Sequence, residues 1–308
     1  MLERLRQVAF LVKDLEDAKD LYHRYLGMDT CHSEDLSRYG LQNAVLPAGN
    51  GTFIELLQPA TGYAGGDSSA ARYLERRGEA PYMLIFETHE YDRLIPHLKS
   101  MGVRLSEEPV NGDYRHAFIH PSSANGALLE VIEITEGNNP WPAAGPDWQT
   151  LDHHPLTKQL RQIAVLVRDL DEAVDRWEKM FGITATKRFQ VSFTDLEIAV
   201  LPLSGKDTFI ELAQPTGSGV PSARFLERYG EGIYLTIYEI DDSLAMDDYL
   251  KGQEARYTSS RVTSNYVNLG FNSIWLHPAG MKGAFTQLSQ VLAEDNPWPP
   301  AGDTWHLG

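Results

Sequence analysis

Cysteine is almost absent from this sequence: there is one, Cys31, in 308 residues. A lone thiol closes no internal disulfide and builds no cysteine-type zinc site, so neither device holds this fold together. Basic residues are scarce as well, 27 Lys and Arg against 43 Asp and Glu, for a formal net charge of −16. Nucleic acids and anionic membrane surfaces are bound through basic patches, so neither is expected as a partner. Long apolar runs are missing too. Nothing approaches the ~20 residues that span a bilayer. The opening MLERLRQVAFLVKDL is interrupted by charge and lacks the cleavage site of a secretory signal. A cytoplasmic, soluble protein is the expectation.

What the chain does have is an apolar fraction of 42%, enough for a sizeable core, and a length that suggests two domains. The two halves repeat. RQVAFLVKDLEDAKDLYHRYLGM from Arg6 returns as RQIAVLVRDLDEAVDRWEKMFGI from Arg161, and LPAGNGTFIELLQP from Leu46 returns as LPLSGKDTFIELAQP from Leu201. Gln7 and Gln162 are 155 apart, Glu55 and Glu211 156, Tyr82 and Tyr234 152, Trp141 and Trp298 157. Spacing held this steadily along a whole unit marks a duplication. The boundary is expected in the Pro-, Gly- and polar-rich stretch at 146–158, giving domains 1–148 and 149–308. A Trp-Pro segment closes both copies, so Trp141 and Trp148, like Trp298 and Trp305, are expected to pin a tail back onto each domain.

Within a copy, VAFLV (8–12) predicts a buried strand. Apolar residues at Leu15, Ala18, Leu21, Tyr22, Tyr25 and Leu26 predict a helix stopped by Gly27. AVLP and TFIELLQP predict strands about a Gly-Asn-Gly turn. Ser69 is the expected cap of a short helix closed by Gly78. YMLIFE (82–87), an amphipathic helix at 91–101 weakened by Pro96, and strands at 116–120 and 126–134 complete the unit. Each copy is thus strand–helix–strands, twice over. The fold class is α+β: four such modules in two domains, each a curved mixed sheet whose concave face forms a cup.

These segments, together with SSAARYLERRGE, FIHP and GALLEVIE, resemble the methylmalonyl-CoA epimerase-like branch of the glyoxalase, or vicinal-oxygen-chelate, superfamily. The resemblance covers nearly the whole chain. It implies paired βαβββ modules around a divalent metal, and isomerase, epimerase, lyase or dioxygenase chemistry; some members only bind small molecules. Carried over position by position, the resemblance places Gln7 and Gln162 where the family has its first His. Glu55 and Glu211 stand at the second ligand position, Met83 and Leu235 at the second His, and Glu130 and Gln287 at the last carboxylate. Both imidazoles are therefore missing from both copies. Gln7, Glu55 and Glu130 form an all-oxygen set suited only to a hard cation, so the cofactor expectation is either none or an unspecified divalent ion. A ring-cleaving dioxygenase would need a His, His, Glu iron site and is excluded.

Alternation along a strand puts Gln7 with Ala9 and Leu11, Glu55 with Phe53 and Leu57, and Glu130 with Leu128 and Ile132. A carboxylate on an apolar face needs a partner or a function. The catalytic candidates are Glu130 as general base, Glu55 as second acid/base and His116, whose counterpart in copy two is Ser273. Gln7, Met83, Phe53 and Leu128 are the substrate-binding candidates. Gln162, Glu211 and Gln287 are expected to form an inert cluster, both glutamines bonding Glu211. Tyr82 and Tyr234 are expected to face the helices, and His120 to serve a turn. The implied function is an isomerase/epimerase or lyase acting on a small carbonyl compound or acyl thioester; the alternative is a metal-free small-molecule binding protein of the resistance type. A homodimer is left open.

Overall fold

The computed structural model describes residues 1–60, 68–110, 112–191, 194–259 and 269–307. The first copy runs β1 (Arg4–Leu11), α1 (Leu15–Leu26), β2 (Leu41–Gly49), β3 (Thr52–Pro59), α2 (Ser69–Arg77), β4 (Ala80–Glu87), α3 (Tyr91–Ser100), β5 (Leu105–Glu107), β6 (Tyr114–Ile119) and β7 (Leu128–Ile134). The second runs β8 (Gln159–Leu166), α4 (Leu170–Phe181), β9 (Phe189–Val191), β10 (Leu196–Pro202), β11 (Phe209–Pro215), α5 (Pro221–Tyr229), β12 (Gly232–Glu239), α6 (Ser243–Gly252), β13 (Tyr257–Ser259), β14 (Phe271–Leu276) and β15 (Phe285–Val291).

Local chemistry sets the helix ends. The Asp14 carboxylate accepts the Asp17 N–H at 3.0 Å, and Gly27 closes α1 at a left-handed φ of 63°. Asp169 and Gly182 do the same for α4. The cap of α2 is Ser68, one residue before the expected Ser69; its Oγ accepts the Ala71 N–H at 3.1 Å. Pro96 sits inside α3, which persists because Leu94, Ile95 and Leu98 are buried against the sheet. Removing one helical N–H is outweighed by that burial.

Each copy builds one mixed sheet. The first has seven strands in the order β2-β3-β1-β4-β7-β6-β5; the second has eight, β13-β14-β15-β12-β8-β11-β10-β9. The register aligns Ala9 with Glu55 and with Met83, Gln7 with Ile85, and Ile85 with Glu130. These residues therefore share the concave face. Next to Met83 the pairing slips, because Ala9 pairs with Met83 but Phe10 pairs with Pro81. Tyr82 is the extra residue of a β-bulge, and Tyr234 is its counterpart against β8. The bulge re-aims these side chains: Tyr82 lines the cup instead of facing the helices, with its ring 5.1 Å from that of Tyr73. Period-two alternation fails at such a point, which is why the sequence expectation for this tyrosine does not hold.

The helix-covered sides of both sheets fuse into one core running through both copies, while each cup has its own apolar lining. The copies are joined by matched contacts. The Leu5 N–H donates to Thr208 Oγ1 and the Leu160 N–H donates to Thr52 Oγ1, both at 2.9 Å. Among the described residues, no helix is long and apolar enough to cross a membrane.

Candidate active site

A cavity of about 950 Å³ opens on the concave face of the first sheet. Its inner end carries Gln7 from β1, Glu55 from β3, Met83 from β4, Leu128 and Glu130 from β7, and His116 from β6. Phe53 shares the face but does not reach the cavity: it is fully buried, with the Trp148 ring set edge-on at a centroid distance of 5.0 Å. The tail holding Trp148 thus removes Phe53 from the substrate-binding candidates.

The tail also fixes the polar floor. Trp141 is fully buried, and its indole N–H donates to Gln7 Oε1 at 3.1 Å. An indole N–H only donates, so the Gln7 amide must turn its oxygen to Trp141 and its NH2 to the cup. That NH2 donates to Glu55 Oε2 at 3.0 Å. Asn43 is locked in the same way. Its Oδ1 accepts the Glu34 backbone N–H at 2.9 Å, which leaves its NH2 to donate to Glu55 Oε1 at 2.8 Å. Both Glu55 oxygens therefore sit in a cradle of amide N–H groups. Burial pushes the Glu55 carboxyl up to about 7, against the pull of Asn43 and Gln7 and with some help from the negative field of Glu130. Glu55 changes protonation near neutral pH.

Glu130 has a different partner. Its Oε1 lies 2.6 Å from His116 Nδ1, deep in the wall, and His116 is 3% exposed. The imidazole is flanked edge-on by Tyr114 and Phe118, each at 5.5 Å. A carboxylate on Nδ1 selects the tautomer that carries its hydrogen there, leaving the lone pair on Nε2. Nε2 has no hydrogen-bond partner. Glu34 is the third acidic group of the cavity, with its carboxyl raised by burial and by Glu130 and opposed by Arg38 and His116. Sequence reasoning missed Glu34 and Asn43. Glu34 lies in a connection with no periodic signal, and the polar Asn43 within β2 was the one clue.

The second cup has diverged. Trp298 locks Gln162 at 2.7 Å, and Gln162 donates to Glu211 at 2.6 Å. Ile198 stands where Asn43 stands in the first copy, and burial pushes Glu211 up to about 7. Gln287 does not join Glu211, contrary to expectation. It donates to Ser273 and Ser289 at 3.0 and 2.9 Å and accepts from Trp275 at 3.2 Å. The two serines face each other across β14 and β15, and the Trp275 indole lies on the strand beside them, so they capture the amide. Phe285 and Phe225 stand in place of Leu128 and Tyr73, packed around Tyr234. The turn histidines behave alike in both copies: His120 and His277 each cap a short helical turn, accepting a backbone N–H at 3.1 Å.

The sequence model of the Glyoxalase/Bleomycin resistance protein/Dioxygenase superfamily matches residues 6–119 and again residues 161–268. The chain belongs to this superfamily. The ethylmalonyl-CoA/methylmalonyl-CoA epimerase of Cereibacter sphaeroides is 32% identical over 134 residues, covering 43% of this chain and 98% of that protein. The mitochondrial methylmalonyl-CoA epimerase of Bos taurus is also 32% identical over 134 residues, covering 42% of this chain and 74% of that protein. A mutant 4-hydroxymandelate synthase from Streptomyces coelicolor superposes over 97% of this chain and 95% of its own, with a TM-score of 0.74 at 15% identity. That likeness extends the superfamily fold over both copies at once.

The superfamily's metal does not fit this donor set. At the first ligand position the group facing the cup is an amide NH2, and a second NH2 flanks the same carboxylate. These partial positive charges repel a cation, and both are fixed by donor-only neighbours. Met83 offers a thioether where an imidazole is expected, and Glu130 is engaged by His116. Among the described residues, no group of three or more His, Cys, Asp or Glu is placed to hold an ion. The trio Gln7, Glu55 and Glu130 is a hydrogen-bonded floor, and the amide orientation is what overturns its expectation as a metal site.

Proposed function

We propose that the N-terminal cup belongs to an isomerase-type enzyme that moves a proton at the carbon beside a carbonyl, in a small carbonyl compound or acyl thioester, using carboxylate and imidazole groups. The observation that carries this reading is the pairing of two acid/base groups with unlike environments in one cavity. Glu55 sits in an amide cradle near its midpoint at neutral pH, and His116 is oriented by Glu130 with a buried Nε2 that has no hydrogen-bond partner. Acid and base roles separate when neighbouring titratable groups are held in different surroundings. One group removes the α-proton, leaving an enolate. The other returns a proton to the opposite face; the two groups end with their protonation states exchanged and are reset by proton exchange with solvent. Gln7 positions Glu55, with Trp141 behind it. The names of the relatives, epimerases of ethylmalonyl-CoA and methylmalonyl-CoA, support this chemistry and suggest a 2-substituted malonyl thioester as the first compound to try.

Exchange of the α-proton in D2O, followed by NMR, tests it. Wild-type protein should deuterate the thioester, and Glu130→Gln or His116→Ala should slow exchange by roughly 10²-fold or more. The wild-type rate should bend near pH 7, where Glu55 titrates. Unchanged exchange in both variants refutes the mechanism. Tight binding without exchange selects the binding-protein alternative instead.

A further inference from the structure

The acidic floor of the cavity is answered by a basic mouth that the acid/base chemistry does not use. Arg76 and Arg77 end α2, Arg228 lies in the last turn of α5, and all three line the same cavity. In a chain of net charge −16, none of the three has a carboxylate within ion-pair distance among the described residues. Basic residues in a last helical turn ordinarily answer the helix dipole, which accounts for Arg76 and Arg228 singly. It does not account for Arg77, which is half-buried and drawn across the domain boundary. Its guanidinium donates to Tyr73 Oη at 3.0 Å and to the Tyr229 carbonyl at 2.7 Å, both neutral acceptors. It lies 5.4 Å from each of the Tyr73, Phe225 and Tyr229 rings. Gly232 makes room for it: a Cβ there would stand 3.0 Å from Nη1. A partly desolvated cation with neutral partners only is costly unless a counter-charge arrives.

We propose that Arg76 and Arg77 of the first copy and Arg228 of the second form an anion clamp for a phosphate or diphosphate group at the far end of the substrate. The proposal rests on the preceding reading in assigning this cavity to a substrate. Guanidinium forks match phosphate oxygens in pairs, and three of them suit a multiply charged group better than a single carboxylate. Among the described residues, the other acidic groups of the mouth make no ion pair with the clamp. Glu231 accepts from Asn125 and from the Arg168 N–H, and Glu108 accepts from Tyr39. The degenerate second copy thereby gains a role: it completes the mouth of the first cup.

Inorganic pyrophosphate is the probe, titrated calorimetrically into the full-length protein. Wild type should bind it, with affinity falling as salt is raised. The double variant Arg76→Gln/Arg228→Gln, altered at two exposed side chains, should melt like wild type and bind roughly tenfold or more weakly. Glu130→Gln should bind like wild type, which separates failure of the clamp from failure of the proton-transfer reading. Absence of wild-type binding, or equal affinity in the double variant, overturns the proposal.

Discussion

Glu211→Gln should make the protein more stable, and only above pH 5. The residue is 6% exposed at the floor of the diverged cup, its one Oε2 partner is the Gln162 amide, and burial pushes its carboxyl from 4.5 to about 7. The sign follows from proton counting. Between pH 4.5 and 7 the unfolded chain has lost this proton while the native chain still binds it, so native stability falls as pH rises through that window and levels off above it. A displacement of about 2.5 pH units at 1.36 kcal/mol each corresponds to ~3 kcal/mol of penalty at pH 8. Glutamine keeps the shape, can still accept from Gln162, and carries no charge to desolvate. Urea unfolding followed by tryptophan fluorescence at pH 5, 6, 7 and 8 should therefore show a stabilisation near zero at pH 5 that grows to ~3 kcal/mol at pH 8. A pH-independent difference, or a loss of stability at pH 8, would refute the argument that an uncompensated buried carboxylate sits there.

Three further outcomes follow from the packing and from the floor. Gly126 has a φ of +79°, and a Cβ there would overlap the Glu231 backbone carbonyl of the other copy, whereas Gly102, with a φ of +73°, has nothing within 4 Å. Gly126→Ala should cost ~2–5 kcal/mol in thermal or urea melts and Gly102→Ala only ~1–2 kcal/mol; equal losses would mean the copies are not in this contact. Trp141→Phe leaves the buried Gln7 oxygen without its donor, at ~1–3 kcal/mol of stability. Because Gln7 turns its NH2 to the cup, dialysis against EDTA should leave wild-type turnover unchanged; metal-dependent recovery after dialysis would contradict the amide orientation.

Much of this molecule was legible before any coordinates. The constant offset between Gln7 and Gln162, or Trp141 and Trp298, is a covalent property of the chain, so the duplication and the α+β modules could be read directly. Alternation along β1, β3 and β7 likewise placed Gln7, Glu55 and Glu130 each among apolar residues of its own strand, since a strand's period is fixed by its backbone; the strand register then brought the three onto one face. Alternation failed at Tyr82 because a bulge adds a residue that no local pattern announces. It placed Phe53 on the correct face without showing that Trp148, 95 residues later, covers it.

The chemistry of the floor was decided at longer range. From the sequence, Gln7 and Glu55 are merely polar residues on apolar strands, equally suited to ligating a cation or bonding each other. Trp141 settles the matter, 134 residues from Gln7, by presenting a donor-only N–H that turns the amide around. Gln287 was drawn to Ser273 and Ser289 for the same kind of reason: the nearest acceptors in space, not the nearest relatives in a motif, satisfy a buried amide. Side-chain periodicity is local and survives in the sequence. Hydrogen-bond direction depends on which donor the folded chain brings opposite each acceptor, and only the tertiary structure holds that information.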